Sequence, residues 1–448
     1  MSENFYKRAL AVAIPVAVHN LIISSINMAD VFMVGQLGES AIAALGISNQ
    51  LMFLFILFMF GMGSGGSIFI SQFFGKKDRV NLHRVIGIMM VPAIAISLVM
   101  AVGAIFIPKV LMSVFSHDAE VLDQSARYLM IVGFSYPLTA ISFIFQIVLR
   151  STDSPRVPMY TSFAALIINV IFNWLLIFGN MGFPKLGIEG AAIATLLARG
   201  LETVLTVFIV YHKKSAAAAK LRVMFDFKIE LVKKVFVTSL PVFINESVWA
   251  SGIVALNIIY ASLGTEAIAS ISIMDSVGRL SLAAFIGIAN ASAVILGTDI
   301  GAQKYEQVWE HSKKFSAMSI YAGIVVSFLL FITAPSVISI YNISPTVADL
   351  AYKTILVWVF IIPIVSFNCL NIVGILRSGG DTKAALWIDI GALWAIGVPA
   401  ALIGASWFQL PIYWVYLLAK SEEIFKFFFG MKRYLSKKWI RNLVEDVE

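Results

Sequence analysis

Asp30 is the one charged residue between Ala9 and Val34, and the stretch around it, INMADVFMVGQLG, otherwise suits hydrocarbon. An aspartate at the centre of a membrane helix costs roughly 2.5–3.5 kcal/mol on insertion scales. A chain keeps one there for a structural partner or for chemistry, and intramembrane carboxylates default to function. Burial favours the protonated form of a carboxyl and a nearby cation favours the ionised form. One such group can therefore take a proton on one side and release it when a cationic solute competes. Other polar side chains recur within apolar runs. His19 precedes Asp30 by eleven residues, three helical turns, which puts it within about 20° of the same face. It either relays protons at neutral pH or bonds a neighbouring helix. Asn169 and Asn173, at i and i+4, share a helix face, although asparagines also commonly join membrane helices. Thr195 by itself is uninformative.

The second half is richer in charge. Asp275 and Arg279 stand one turn apart, which suits a local ion pair. Glu246 lies twelve residues past Lys234, and Asp389 six past Lys383, so both belong to the cytoplasmic half of their spans. Two readings stand side by side: a charge network joining three spans, or a second protonation site or cation contact. Three acids against Arg279, read as the one arginine inside the spans, favour a lumen that attracts cations. Asn20, Gln146 and Asn245 are weaker lining candidates.

The elements that must hold these residues follow from composition. Of 448 residues 59% are hydrophobic and 13% charged, with mean hydropathy +0.89. Soluble domains carry about 25% charged residues, so this is an all-α integral membrane protein. Helices need about 20 apolar residues to cross the hydrocarbon core. Twelve such runs are expected, at 9–34, 41–72, 86–112, 126–149, 157–180, 187–211, 236–262, 267–300, 315–341, 350–376, 384–405 and 409–430. Basic residues fall in alternate loops: Lys76, Lys77, Arg79 and Arg84, then Arg150 and Arg156, then seven between Lys213 and Lys234, then Lys304, Lys313 and Lys314, then Arg377 and Lys383. The positive-inside rule then places both termini in the cytoplasm. It also accounts for the net charge of +7 without nucleic acid. Lys7-Arg8 begins a run too long for a cleaved signal, so the first span is expected to be retained. The single Cys369 excludes an intramolecular disulfide, and the GMGSGGS stretch is followed by no Walker lysine. No catalytic constellation or metal spacing is present, so no enzyme and no cofactor is expected. The terminal VEDVE reads as a solvated acidic end.

The halves repeat. A shift of 226 positions superposes Pro15 on Pro241, Leu37-Gly38 on Leu263-Gly264, Gly61 on Gly287, Gly75 on Gly301 and Pro137 on Pro363. Six spans per half is an even number, so the repeats run parallel, an arrangement of secondary transporters with a site between lobes. The expected organisation is an N-lobe at 1–212, a cytoplasmic linker at 213–235, a C-lobe at 236–430 and a cytoplasmic tail at 431–448. Pro15 and Pro241 are expected to kink the first helix of each lobe.

At MADVFMVGQLGESAIAALG, LRSTDSPRVPM, NVIFNWLLIFG, LGIEGAAIAT, LPVFINESVWASG, GILRSGGDTK and WIDIGALW the chain resembles the multidrug and toxic compound extrusion (MATE) family. In particular it resembles a bacterial and archaeal branch with NExxW in span 7. The resemblance implies two six-helix lobes, alternating access, and export of organic cations or amphipathic drugs against inward H+ or Na+ from a prokaryotic inner membrane. It makes Asp30, Asn169, Asn173 and Thr195 the cation-coupling positions, with Na+ at Asp30 as the one metal alternative. Asn173 stands where the family usually has a second carboxylate, which shifts the expectation towards H+. The alternative is a flippase of lipid-linked oligosaccharides from the wider superfamily. The acids here speak against it, because anionic pyrophosphate lipids need cationic cavities. Besides membrane lipid no macromolecular partner is expected, and a monomer is the default.

Overall fold

The computed structural model describes residues 2–152, 154–341 and 343–447, the first three of them by backbone alone. The described residues are helical throughout, without a β-strand. In chain order the helices are α1 (Ser2–Gly35), α2 (Glu39–Lys76), α3 (Arg79–Phe106), α4 (Pro108–Met112), α5 (Ala119–Val132), α6 (Ser135–Ser151), α7 (Arg156–Phe178), α8 (Ile188–His212) and α9 (Leu221–Met224). The second half holds α10 (Ile229–Ala261), α11 (Thr265–Gly301), α12 (Tyr305–Ser339), α13 (Pro345–Cys369), α14 (Thr382–Ala392), α15 (Val398–Ser406), α16 (Ile412–Lys420) and α17 (Glu422–Leu435). Short π-helical turns, Leu370–Leu376 and Leu393–Gly397, continue α13 and join α14 to α15.

Ends follow local chemistry. Asp118 caps α5 by accepting from the backbone N–H of Glu120 and Val121 at 2.9 and 3.0 Å, and Asp78 caps α3 through Asn81. Ser344 with Pro345 starts α13.

Among the described residues ten helices are long and apolar enough to cross a membrane, eleven if α5 and α6, bent by 54°, count as one span. The expected fourth span, 126–149, is therefore a bent pair that starts earlier. The expected twelfth, 409–430, is not one helix. It is α16 and α17, interrupted at Ser421 and carrying Lys420, Glu422, Glu423 and Lys426. Many of the largest apolar side chains point outward, among them Phe106, Phe360, Trp387 and Trp407 at 73–80% exposure. A surface of that kind is stable only against lipid.

The helices form two compact units. One comprises Val18–Ile70 and Asp78–Phe236, the other Met1–Ala17, Ser71–Lys77 and Val237–Glu448. Residues 71–77, early in the sequence, thus belong with the second half. The first unit has an apolar core built around Val34, Leu45, Tyr128, Ile177 and Ala192. Its linker is docked rather than loose: Met224 of α9 is buried, and Arg84 pairs with Asp226. That guanidinium holds the Asp226 carboxyl below the usual carboxylate range.

The tail departs from expectation. The Glu445 and Asp446 side chains are exposed, but the backbone beneath them is held. Gln72, fully buried, donates to the carbonyls of Ser378 and Arg441 at 3.0 and 3.1 Å and accepts from Leu443 N–H at 2.8 Å. Lys76 donates to the carbonyls of Val444, Glu445 and Val447, and Trp439 is fully buried. Leaving a buried hydrogen-bonding group unsatisfied costs about 1–3 kcal/mol. Gln72→Leu should therefore raise the opening of the tail about tenfold or more, read as faster trypsin cleavage after Arg441. An unchanged cleavage rate would mean that Gln72 does not hold the tail.

Candidate functional site

In the first unit Asp30 comes from α1, Asn169 and Asn173 from α7 and Thr195 from α8. Asp30 is 8% exposed and both asparagines are fully buried. Asn173 Nδ2 donates to Asp30 Oδ1 at 2.6 Å and to Asn169 Oδ1 at 3.2 Å. The i, i+4 spacing on α7 thus lets Asn173 reach both Asp30 and Asn169. The Thr195 hydroxyl, Asn169 Nδ2 and Asn173 Oδ1 are buried without a hydrogen-bond partner among the described residues, so the site retains donor and acceptor capacity beyond its internal bonds. Tyr128 of α5, buried, lies within electrostatic reach of Asp30 and beside Thr195. The sequence reading did not single it out, because a tyrosine in an apolar run carries no charge signal.

His19 is 2% exposed, and neither ring nitrogen has a hydrogen-bond partner among the described residues. Its charged neighbours are Arg150, Arg199 and Glu202, a second polar group of the same unit. Glu202 accepts from Ser162 at 2.5 Å, from Gln146 at 3.0 Å and from Arg199 at 2.8 Å. Arg199 lies inside α8, so Arg279 is not the one arginine within the spans. The signal was present as an acid and a base at i and i+3 in the run 187–211.

In the second unit the acids do not outnumber one arginine as expected, because two further cations reach them. Arg377 Nη2 lies 2.8 Å from Glu246 Oε1, and Lys426 Nζ lies 2.9 Å from Asp389 Oδ1. Arg377 had been assigned to a loop and Lys426 to an apolar span. Asn245 donates to Asp389 Oδ2 at 3.0 Å. Asp275 and Arg279 form no ion pair among the described residues; both are exposed, and Lys420 acts on Asp275 more strongly than Arg279 does. One turn of spacing allows a pair, but an exposed pair gains little in water and costs side-chain entropy to form.

The Glu246–Arg377 bridge is 20% and 4% exposed at its side chains. Removing one partner of a buried pair typically costs about 3–5 kcal/mol. Glu246→Gln should lower the melting temperature and weaken cationic and neutral drugs alike, and Glu246→Gln with Arg377→Gln should recover part of the loss. Selective weakening of cations would instead make Glu246 a substrate contact.

The model of the family described as MatE matches residues 15–175 and 241–403. The chain is 24% identical over 413 residues to the uncharacterized transporter YisQ of Bacillus subtilis, covering 92% of this chain and 90% of that one. It is 25% identical to the probable multidrug resistance protein YoeA of the same organism, covering 96% and 94%. To the probable multidrug resistance protein NorM of Thermotoga maritima it is 23% identical, covering 98% and 94%. In fold it is similar to the Vibrio cholerae MATE transporter VcmN in its bent form, with a TM-score of 0.89, 17% identity and 99% and 98% coverage. It is likewise similar to a MOP superfamily transporter from Pyrococcus furiosus, with a TM-score of 0.86, 17% identity and 96% coverage of both chains.

Proposed function

This chain belongs to the MatE family of multidrug efflux transporters, the matched residues making up more than half of it, and on that premise we propose that it is a secondary antiporter exporting organic cations or amphipathic drugs against inward H+ by alternating access. It is a multi-pass membrane transporter and not an enzyme. The observation that carries the antiport reading is the Asp30 carboxyl, buried and bonded to Asn173 at 2.6 Å. An ionised carboxylate in a low-dielectric site is expensive unless paired. A proton or a cation therefore has a reason to reside there, and a cationic substrate has a reason to displace it.

H+ is favoured over Na+ because the amide group facing Asp30 is a donor, whereas a hard cation is bound by oxygens. Thr195 and Asn169 complete the same site, and His19 is a proton relay in this reading. The protein works as a monomer in the cytoplasmic membrane, with both termini in the cytoplasm. Efflux of a cationic dye from proteoliposomes tests this. A pH gradient should drive it and an equal sodium gradient should not. Drive by sodium alone would move the coupling ion to Na+. No response to either, with lipid scrambling instead, would favour the flippase.

A further inference from the structure

Three carboxylates in the second unit share one ammonium. Lys426 Nζ lies 2.9 Å from Asp389 Oδ1, 3.4 Å from Glu423 Oε1 and 3.5 Å from Glu422 Oε2. Arg377 also acts on Asp389, but its ion pair with Glu246 brings in one carboxylate for that one cation. Lys420, the next cation, lies over the rings of Trp358 and Tyr416 at 5.8 and 5.6 Å. Counting it in full still leaves three carboxylates against two cations. Buried like charges at such spacing do not all ionise, and they titrate as a unit.

A second observation points the same way. Asn245 and Asn368, each 3% exposed, donate their amide hydrogens to Asp389 and Glu423 at 3.0 and 2.8 Å. Among the described residues their side-chain oxygens have no partner, and Glu422 Oε2 has no hydrogen bond. Each of these three orphans can accept a hydrogen bond. A proton on one carboxylate supplies a donor to such acceptors, beside the buried Tyr260 hydroxyl.

Which carboxylate takes it follows from the pairing. Asp389 has Lys426 and Asn245, and Glu423 has Lys426 and Asn368. Glu422 has only the longest of the three contacts to Lys426, with its side chain 3% exposed. The other titratable groups that reach it are Lys420, Tyr260 and Tyr416, and Asp275 joins them through Tyr260.

We propose that Glu422 is a second proton-binding site of this transporter, at the centre of the Asp389–Glu423–Lys426 cluster. A hydronium gives up its proton, an O–H bond forms on Glu422, and no other bond changes. The role of this site in coupling rests on the antiport reading above, but its existence does not.

Infrared difference spectroscopy of the purified full-length protein across a pH titration tests it through the carbonyl band of a protonated carboxyl. Part of the band should persist in Asp30→Asn, and that part should be lost when Glu422→Gln is added. Loss of the whole band in Asp30→Asn, or no change in Glu422→Gln, overturns the proposal. Glu423→Gln keeps the test independent of how Glu422→Gln folds. Removing that like charge should let Glu422 release its proton about one pH unit lower or more, and an unmoved midpoint also overturns the assignment. Failure of the antiport reading shows elsewhere, as wild-type efflux in Asp30→Asn, and leaves this band untouched.

Discussion

Asp30→Asn is expected to reduce gradient-driven efflux at least about a hundredfold, to the level of empty vesicles, while the protein still folds and binds its drugs. The amide fills the space of the carboxyl and still accepts from Asn173, now at 2.6 Å from Asp30. What it cannot do is exchange a proton. The bond becomes neutral, and charge-assisted bonds are roughly twice as strong as neutral ones, so some local stability is lost. Against that, the substitution removes a residue that costs roughly 2.5–3.5 kcal/mol at the centre of a membrane helix. The two effects have opposite signs and similar size, so the melting temperature should move little. Loss of function without loss of fold is the informative combination. Substrate counterflow in proteoliposomes, which needs no ion gradient, should survive when efflux driven by a pH gradient does not. Efflux at the wild-type rate would remove Asp30 from the mechanism, and loss of fold would make it structural.

Asp30 was legible because one charge among apolar residues is a local signal. The i, i+4 spacing of Asn169 and Asn173 was equally legible, and it is itself the geometry that joins Asn169 to the amide on Asp30. The helical fold and most of the spans were legible from apolar run length alone. Run length fails where polarity is diluted. Glu422, Glu423 and Lys426 sit in a stretch whose remaining residues, IF, FFFG and YWVYLL among them, keep the average apolar. The break at Ser421 and the charge cluster behind it were therefore read as one ordinary span. The bend between α5 and α6 was missed for a similar reason, since Gly133 and Phe134 interrupt the helix without interrupting the hydropathy. Partners distant in sequence left no local trace. Glu246 and Arg377 are 131 positions apart, and counting positive charges put Arg377 in a loop. The tail was misread because its acidic side chains do face solvent. Only the carbonyls behind them, which composition does not describe, are held by Lys76.

The internal repeat supplies the second large effect. A Cβ on Gly301 would stand 1.9 Å from the carbonyl oxygen of Gln72, and one on Gly75 would stand 2.0 Å from that of Thr298. The shift of 226 positions that carries Gly75 to Gly301 also carries Gln72 to Thr298. The two close approaches are thus one contact made twice, and both ends lie within the second unit. In hydrocarbon no hydrophobic drive pulls helices together, so small residues that let backbones approach supply the packing. Here the obstacle to a methyl group is backbone, which cannot rotate away as a side chain can. Overpacking costs about 1–3 kcal/mol and occasionally more, and a rigid neighbour on both sides puts these sites at the upper end. Gly301→Ala and Gly75→Ala should each lower the melting temperature of the detergent-solubilised protein, by similar amounts. Gly200 provides the control, because it is helical and a Cβ there meets nothing within 4 Å. Alanine in place of glycine inside a helix gains about 0.5–1 kcal/mol, so Gly200→Ala should move the melting temperature upward. The same substitution thus has opposite signs at sites that differ only in what faces them. Equal shifts at Gly301 and Gly200 would mean that the backbones of residues 72 and 301 do not meet. A shift at Gly301 without one at Gly75 would mean that the contact is not made twice.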